Sequence, residues 1–295
     1  MSIFIQLLLN GLIAGAIYAL VAAGFSLIYS TNKFIHFAHG VVVTFAAYFL
    51  YLMFAVLGIN FCLSVIFTII CAGLLGWIIN EFVYKTMRKR KASSVILLIA
   101  SVALLILLES LILLFFGPSV KTINFLEGGI GVNIFGAMIT SLQIVIIFIA
   151  IILFFGLWLF MKKTILGKAM RAVSNNKDVA EIVGISSKQI YAWSFIVGSS
   201  IAGIAGVLIS MEQNLDPVMG TNLIIKGFTG SIIGGIGSVP GAIIGAFLLG
   251  LVEVLGIWFL PSGYKDAIAF IVLFMFLIFR PQGIFGKKDF SGKII

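Results

Sequence analysis

Three ionisable side chains stand inside long apolar runs, where a charge is costly. Glu109 lies deep in the run 94–116, Glu253 lies in the run 240–257, and Lys226 lies in a shorter run at 223–235. An ionisable residue in a membrane-embedded segment indicates either a solute pathway or an internal pair with a neighbouring helix. Internal pairing is favoured for Lys226 and Glu253. For Glu109, a structural partner and a pathway role both stay open.

Two histidines, His36 and His39, occur three residues apart just before Gly40. On a helix this spacing would place both imidazoles on one face, where they could bind a metal or a haem. No carboxylate or cysteine stands nearby to complete such a site. The sequence therefore predicts a helix break ending in Gly40, with capping or hydrogen-bonded histidines and without a metal or other cofactor.

Motifs for catalysis and for nucleotide binding are absent from the sequence. There is no G-x-x-x-x-G-K-[ST], which would cradle nucleotide phosphates, and no H-E-x-x-H, which would bind a catalytic zinc. There is also no G-x-S-x-G, which would carry a nucleophilic serine. We therefore expect that the chain is not an enzyme and that any ATP hydrolysis occurs in another subunit.

The composition requires a lipid environment for the elements that position these residues. Of 295 residues, 62% are hydrophobic and 10% are charged, and the mean hydropathy is +1.25. A soluble domain carries about 25% charged residues. The net charge of +9 comes from basic residues between the apolar runs, where cytoplasmic loops of membrane proteins carry them. Nucleic-acid binding is therefore not expected.

The apolar runs predict an all-α polytopic transmembrane bundle of about eight spans, forming a single domain over residues 1–295. Each span needs about 20 apolar residues. The predicted spans are 1–32, 41–57, 61–82, 94–116, 142–161, 190–211, 240–257 and 266–280. The first run exceeds one span, so part of it is expected to be tilted or to lie along the membrane interface.

A glycine-rich stretch at 234–241, which includes Gly235, Gly237 and Pro240, predicts a break between two helical pieces. Residues 222–257 are then either re-entrant or make two crossings. Irregular backbone at membrane depth survives only inside protein or beside a water-filled cavity. The break is therefore predicted to lie near a translocation pathway.

The basic segments 85–91 and 162–188 and the tail after Arg280 are predicted to be cytoplasmic, which includes the C-terminus. The segments 117–140, 212–222 and 258–265 are then external. The position of the N-terminus stays open, because an extra crossing in the first run would reverse it.

The polar stretch 162–189 is the most informative part of the chain. It is charged and compatible with helix, and it lies between two spans. It is either a short helix that docks on a partner or an ordinary solvated loop. Within it, Ala180-x-x-x-Gly184 resembles the core of the coupling loop of bacterial ABC importer permeases, which inserts into the ATPase subunit.

Further stretches resemble one family, the permease subunits of branched-chain amino acid ABC importers, and more closely its shorter H-type subunit than its M-type subunit. These stretches are residues 11–20, the Phe-Ala-His-Gly at 37–40, the glycine-rich 226–242, and 264–266 together with 280–286. The resemblance covers essentially the whole chain in order.

The resemblance implies a subunit in a bacterial inner membrane that forms half of a translocation pathway for leucine, isoleucine and valine. Its implied partners are an M-type permease subunit, two cytoplasmic ATP-binding subunits and an external solute-binding protein. The residues expected to couple to the ATPase are Gly167, Arg171, Asp178, Ala180 and Gly184. The pathway candidates are His39, Glu109, Lys226, Gly235, Gly237 and Glu253.

Three alternatives stay open at this point. Related permeases carry urea or short amides, so the solute could be one of these. A stand-alone secondary transporter or channel would use Glu109 as its coupling or gating group. An intramembrane enzyme would use His36 and His39.

Overall fold

The computed structural model describes residues 2–123, 131–134 and 136–286, and it is built of α-helices with one short β-hairpin. The helices are α1 Ser2–Asn32, α2 His39–Leu50, α3 Phe61–Ile78, α4 Lys85–Lys89, α5 Ser94–Phe116, α6 Ser141–Lys163, α7 Ile165–Asn175, α8 Lys177–Ile182, α9 Ser187–Glu212, α10 Met219–Gly234, α11 Val239–Gly256 and α12 Lys265–Phe279. The hairpin pairs β1 Val132–Ile134 with β2 Ala137–Ile139. A π-helical turn, Tyr51–Val56, extends α2, a second one, Ile79–Tyr84, joins α3 to α4, and a 3₁₀ turn, Ser262–Tyr264, precedes α12.

Seven helices in the described part of the chain are long and apolar enough to cross a membrane. They are Ile3–Asn32, His39–Val56, Phe61–Lys89, Ser94–Phe116, Ser141–Lys163, Ser187–Glu212 and Val239–Gly256. The eighth predicted span corresponds to α12, whose 15 residues make it shorter than these. The predicted all-α polytopic bundle is thus confirmed.

The first run forms one continuous helix, α1. Two other local expectations need correction. The basic cluster at 85–91 is not a loop, because the helix that starts at Phe61 continues through Lys89. The stretch 162–189 holds two helices, because the side chain of Asn176 accepts a hydrogen bond from the Val179 N–H and starts α8.

Helix α1 is the centre of the bundle. Its most apolar window is 83% buried within the chain, whereas that of α6 is 17% buried. Lipid tails give no hydrophobic drive for helix association, so close contacts need small residues. At Gly11 and Gly15 an added Cβ would lie 3.1 and 3.0 Å from the Cα atoms of Leu251 and Phe247 on α11. These glycines let the two backbones approach.

Helices α10 and α11 form an antiparallel hairpin around the glycine-rich break. The turn between them uses positive φ angles at Gly235 and Gly237, +108° and +87°. The N–H groups of Ile284 and Phe285 donate to the carbonyls of Ile233 and Gly234, at 2.8 and 2.9 Å. The glycine-rich break is therefore the turn between α10 and α11, and it packs against the segment that follows α12.

Two ends of the bundle can be told apart by their contacts. At one end the side chain of Gln6 bonds to both backbone groups of Met138, and Lys121 pairs with Leu215. The first residues of α1 thus share an end with the segments 117–140 and 212–222. The basic tail residues Lys287, Lys288 and Lys293 lie outside the described residues.

Candidate coupling segment and buried polar sites

Helix α8 ends in a motif that requires glycine. The N–H of Gly184 donates to the Glu181 carbonyl at 3.0 Å, and the N–H of Ile185 donates to the Ala180 carbonyl at 2.9 Å. This is the Schellman pattern, in which the residue after the helix cap is left-handed. Gly184 has φ +87°, so Ala180 and Gly184 are the two ends of one turn.

An apolar patch on α8 was missed by the sequence analysis. Ile182 is 83% exposed, and Val179 and Val183 are each more than half exposed. These residues follow the i, i+3, i+4 spacing that places side chains on one helix face. That spacing was a readable signal, because apolar residues stand out in a segment otherwise rich in charge. The patch has the form of a docking surface.

The five residues expected to couple to the ATPase divide into two groups. Arg171, Asp178 and Gly184 are exposed. Gly167 and Ala180 are buried within the chain, so they do not belong to an outer contact surface. A Cβ on Gly167 would collide with Phe160 and would lie 2.7 Å from the Met161 Cα. Gly167 therefore holds α7 against the end of α6.

Lys226 lies in an ion-pair cluster that joins four helices. Its Nζ is 3.2 Å from Glu253 Oε2 and 3.1 Å from Asp266 Oδ1. It also donates to the Tyr18 hydroxyl at 3.1 Å, and that hydroxyl donates to Glu253 Oε2 at 2.9 Å. Two carboxylates thus surround one ammonium group, linking α1, α10, α11 and α12. The sequence analysis favoured internal pairing for Lys226 and Glu253, but it did not predict the contacts with Tyr18 and Asp266.

Glu109 has a partner outside this cluster. Its carboxylate accepts a hydrogen bond from the Thr221 hydroxyl. Glu109 also lines a cavity of about 280 Å³ together with Asp216, Pro217 and Val218, beside the loop at 212–222. Glu109 therefore has a structural partner at the end of the bundle that carries this loop.

The two histidines lie at the predicted break, although α2 begins at His39 rather than after Gly40. Both are fully buried. His36 Nδ1 is hydrogen-bonded to the Tyr84 hydroxyl at 2.9 Å. The described residues contain no group of three His, Cys, Asp or Glu side chains that could hold a metal.

The pathway candidates do not converge on one place. Gly235 packs against Gln282 and Gly286, and Gly237 lies near the Tyr29 ring. Lys226 and Glu253 belong to the ion-pair cluster, Glu109 faces the cavity, and His39 lies where α2 begins. The structure thus separates residues that the sequence grouped by type.

Comparisons with known proteins agree on one family. The family model described as branched-chain amino acid transport system / permease component matches residues 7–277. The high-affinity branched-chain amino acid transport system permease protein BraD of Pseudomonas aeruginosa is 33% identical over 97% of each chain. The corresponding permease protein LivH of Escherichia coli K12 is 31% identical over 97% of this chain and 96% of its own.

Among solved structures, PsaBC from Streptococcus pneumoniae in complex with Fab has a similar fold. The TM-score is 0.51 at 16% identity, over 94% of this chain and 92% of that one. Since the family model spans most of the sequence and a third of the residues are shared with a relative of equal length, the chain belongs to the branched-chain amino acid transport system permease family, whose members are multi-pass membrane proteins.

Proposed function

We propose that the chain is the H-type permease subunit of an ABC importer for branched-chain amino acids. An M-type permease subunit would complete the pathway, an external solute-binding protein would deliver the solute, and two cytoplasmic ATP-binding subunits would supply the energy. The family and the printed functions of BraD and LivH support the solute class. The chain itself would carry no ATPase activity.

The observation that carries the proposal is the apolar patch on α8. Val179, Ile182 and Val183 stand exposed on a helix between polar residues, and no part of the chain that the structure describes covers them. Beyond Gly184, an added Cβ would meet no atom of residues 2–123, 131–134 or 136–286 within 4 Å. An apolar patch beside an open glycine fits insertion into a cleft of an ATP-binding subunit.

The surrounding residues supply support and charge. Gly167 and Ala180 fix α7 and α8 against the rest of the chain, so that force applied to the patch reaches the bundle. Arg171 and Asp178 are exposed on the same segment and would pair with charges on the ATPase. The glutamate of α8, Glu181, bonds to Ser187 at the start of α9. Helix α9 would therefore receive the motion first.

The test is a charge placed within the patch, with a matched change on the other face of α8. At about 100° per residue, Lys177 lies opposite to Ile182. We expect Ile182→Glu to lose co-purification with a P-loop ATPase and to lose ATP-dependent uptake of radiolabelled leucine. Lys177→Glu, also exposed, should keep both.

Each result is informative. Equal uptake by the two variants would remove α8 as the ATPase contact. Uptake of radiolabelled urea or a short amide in place of leucine, by the intact complex, would keep the importer and change the solute. Uptake without any ATPase, driven by a proton gradient, would contradict the proposal.

A further inference from the structure

The connection between α1 and α2 enters the bundle as irregular backbone. Lys33 adopts φ +56°, and Phe34, His36 and Ala38 are buried. His39 then packs against Gly24, where an added Cβ would lie 2.7 Å from its Nε2. Gly24 is eight residues before the end of α1, a distance of about 12 Å along the helix. Irregular backbone at such depth in membrane proteins is either buried in protein, as it is here, or lines a water-filled cavity.

Arg88 holds the start of this connection. Its Nη1 donates to Asn32 Oδ1 at 2.9 Å, and its Nη2 donates to Asn80 Oδ1. The guanidinium also lies 4.7 Å from the centre of the Tyr191 ring. We name these four residues, Asn32, Asn80, Arg88 and Tyr191, the latch.

The latch contains a cation and no anion. Its acceptors are neutral amide oxygens and an aromatic face, and the acidic residue seven positions before Arg88, Glu81, pairs with Lys85. A guanidinium binds a carboxylate far more strongly than it binds an amide, since both partners are then charged. The hydrogen bonds of Arg88 therefore require a defined geometry, but they are weaker than bonds to a carboxylate and easier to break.

A π-helical turn carries two of the side chains that hold the connection, and Ser101 of α5 also bonds to the backbone of Ile35 and Phe37. Ile79–Tyr84 carries Asn80, which meets Arg88, and Tyr84, which meets His36. Such π turns occur frequently at functional sites.

The hydrogen bonding of the connection is also incomplete in the described residues. His36 Nε2 and both ring nitrogens of His39 have no hydrogen-bond partner of normal geometry among these residues. Among the described residues, these ring nitrogens therefore contribute no hydrogen bond that fixes the connection.

The latch is linked to the coupling segment through α9. The Asn32 amide donates to Ser194 Oγ at 2.9 Å, and both Ser194 and Tyr191 lie in the first two turns of α9. That helix begins at Ser187, which bonds to Glu181 of α8. A displacement of α8 therefore acts directly on two of the side chains around Arg88 and Asn32.

We propose that residues 33–38 form a gate, and that Arg88 is the positioning residue that latches it until movement of α8 and α9 draws Tyr191 and Ser194 away. The idea rests on the proposed function, because the ATPase supplies the movement. In the latched state Asn32 and Asn80 are held by one guanidinium; in the released state the end of α1 separates from the π turn and the gate segment moves.

The first experiment compares Arg88→Gln with Arg90→Gln in the complete importer reconstituted in proteoliposomes. Arg90 is exposed and has the same charge two residues away. We expect Arg88→Gln to lower the solute transported per ATP hydrolysed by about tenfold, within the range of allosteric coupling. Arg90→Gln should match the unmodified protein. Equal ratios for the two variants would overturn the latch.

Arg88→Lys separates geometry from charge. Lysine keeps the positive charge near the membrane edge but has no planar fork to hold two amides. We expect its transport ratio to stay as low as that of Arg88→Gln. Full recovery with lysine would mean that only the charge matters and would refute the latch.

A disulfide tests whether the latch must open. In a background with Cys62→Ser and Cys71→Ser, which removes both native cysteines, Asn32→Cys and Asn80→Cys place two thiols around the site of one guanidinium. The reduced double variant lacks both amide acceptors of Arg88 and should transport about as poorly as Arg88→Gln. Oxidation should abolish this remaining uptake and reduction should return it to the same low level, with the complex intact throughout. Unchanged uptake in the cross-linked protein would show that these positions do not separate.

The failures of the two proposals are distinguishable. If the unmodified complex shows no ATP-dependent uptake, the proposed function is wrong. The latch is then wrong as well, because it depends on that function. If the unmodified complex and Arg90→Gln transport normally and Arg88→Gln does the same, only the latch fails.

Discussion

Gly184 combines a left-handed backbone with an open surface. Its φ is +87°, and none of the described residues would meet a Cβ there within 4 Å. Gly58 has the same two properties, with φ +67°, between α2 and α3. A side chain would cost about the same backbone strain at either position. The two residues differ only in what approaches them from outside.

We expect Gly184→Asp to abolish ATP-dependent leucine uptake while the protein remains in the membrane, because the new carboxylate would stand between α8 and the ATPase. Gly58→Asp should retain uptake. Transport assays and immunoblots of membrane fractions would measure both variants. Normal transport by Gly184→Asp, or equal loss in both variants, would contradict a coupling role for this glycine.

Residue types were easier to predict than residue partners. The sequence indicated that Lys226 needs a carboxylate, because an unpaired charge in lipid is costly. It could not select Glu253 and Asp266, which are 27 and 40 residues away, over other acids. Arg88 gave no signal at all, because it stands in a basic cluster whose charge is explained by orientation. Its partner Asn32 is 56 residues away.

At the scale of elements, the ion-pair cluster joins helices that share few other polar contacts. Glu253 is 1% exposed, whereas the side chain of Asp266 is 65% exposed. Removing one partner of a buried pair costs about 3–5 kcal/mol, and an exposed pair contributes about 0–1 kcal/mol. The two carboxylates of the same lysine should therefore differ strongly.

We expect Glu253→Gln to destabilise the detergent-purified protein by about 3 kcal/mol and Asp266→Asn by less than about 1 kcal/mol. Both changes keep the side-chain volume. Thermal unfolding followed by circular dichroism would rank them. A larger loss for Asp266→Asn would assign the stabilising contact to the outer carboxylate.

Helix positions were predictable because hydropathy is a local property of the chain. The bounds of α5 match the predicted span 94–116. The sequence analysis did not predict that the third helix continues into basic residues. Lysine and arginine favour helix formation, but they are also common in cytoplasmic loops, so their presence does not distinguish the two. The π turns carry no pattern that a window of hydropathy can detect. The glycine-rich turn was found, but its contact with residues 284 and 285 depends on the tertiary fold.

At the scale of the whole molecule, the two ends of the bundle should face opposite sides of the membrane. We expect the end with α7 and α8 to be cytoplasmic, since basic segments are retained inside. Asn175→Cys and Asn214→Cys are exposed positions at the two ends. Without the native cysteines, a membrane-impermeant thiol reagent should label only Asn214→Cys in intact cells and both in lysed cells. The reverse labelling pattern would mean that the protein has the opposite orientation in the membrane.

The candidate pathway was the least predictable feature at this scale. Each candidate was chosen because it was unusual for a lipid environment, and each is unusual for a different reason. Lys226 and Glu253 form an ion pair with each other. Gly235 and Gly237 adopt the positive φ angles of a turn, and Glu109 lines the edge of a cavity. Only His39, beside the connection that enters the bundle, lies at the proposed gate.

The central position of α1 has a consequence for biosynthesis. It is made before α11, yet Tyr18 bonds to Glu253, 235 residues later, and Gly15 packs against Phe247. At about 5–20 residues per second, α1 waits on the order of ten to fifty seconds before α11 has been translated. During that time its glycine face is open to lipid or to the translocation machinery. A nascent-chain cross-link from Gly15 should therefore shift from insertase to α11 as synthesis ends.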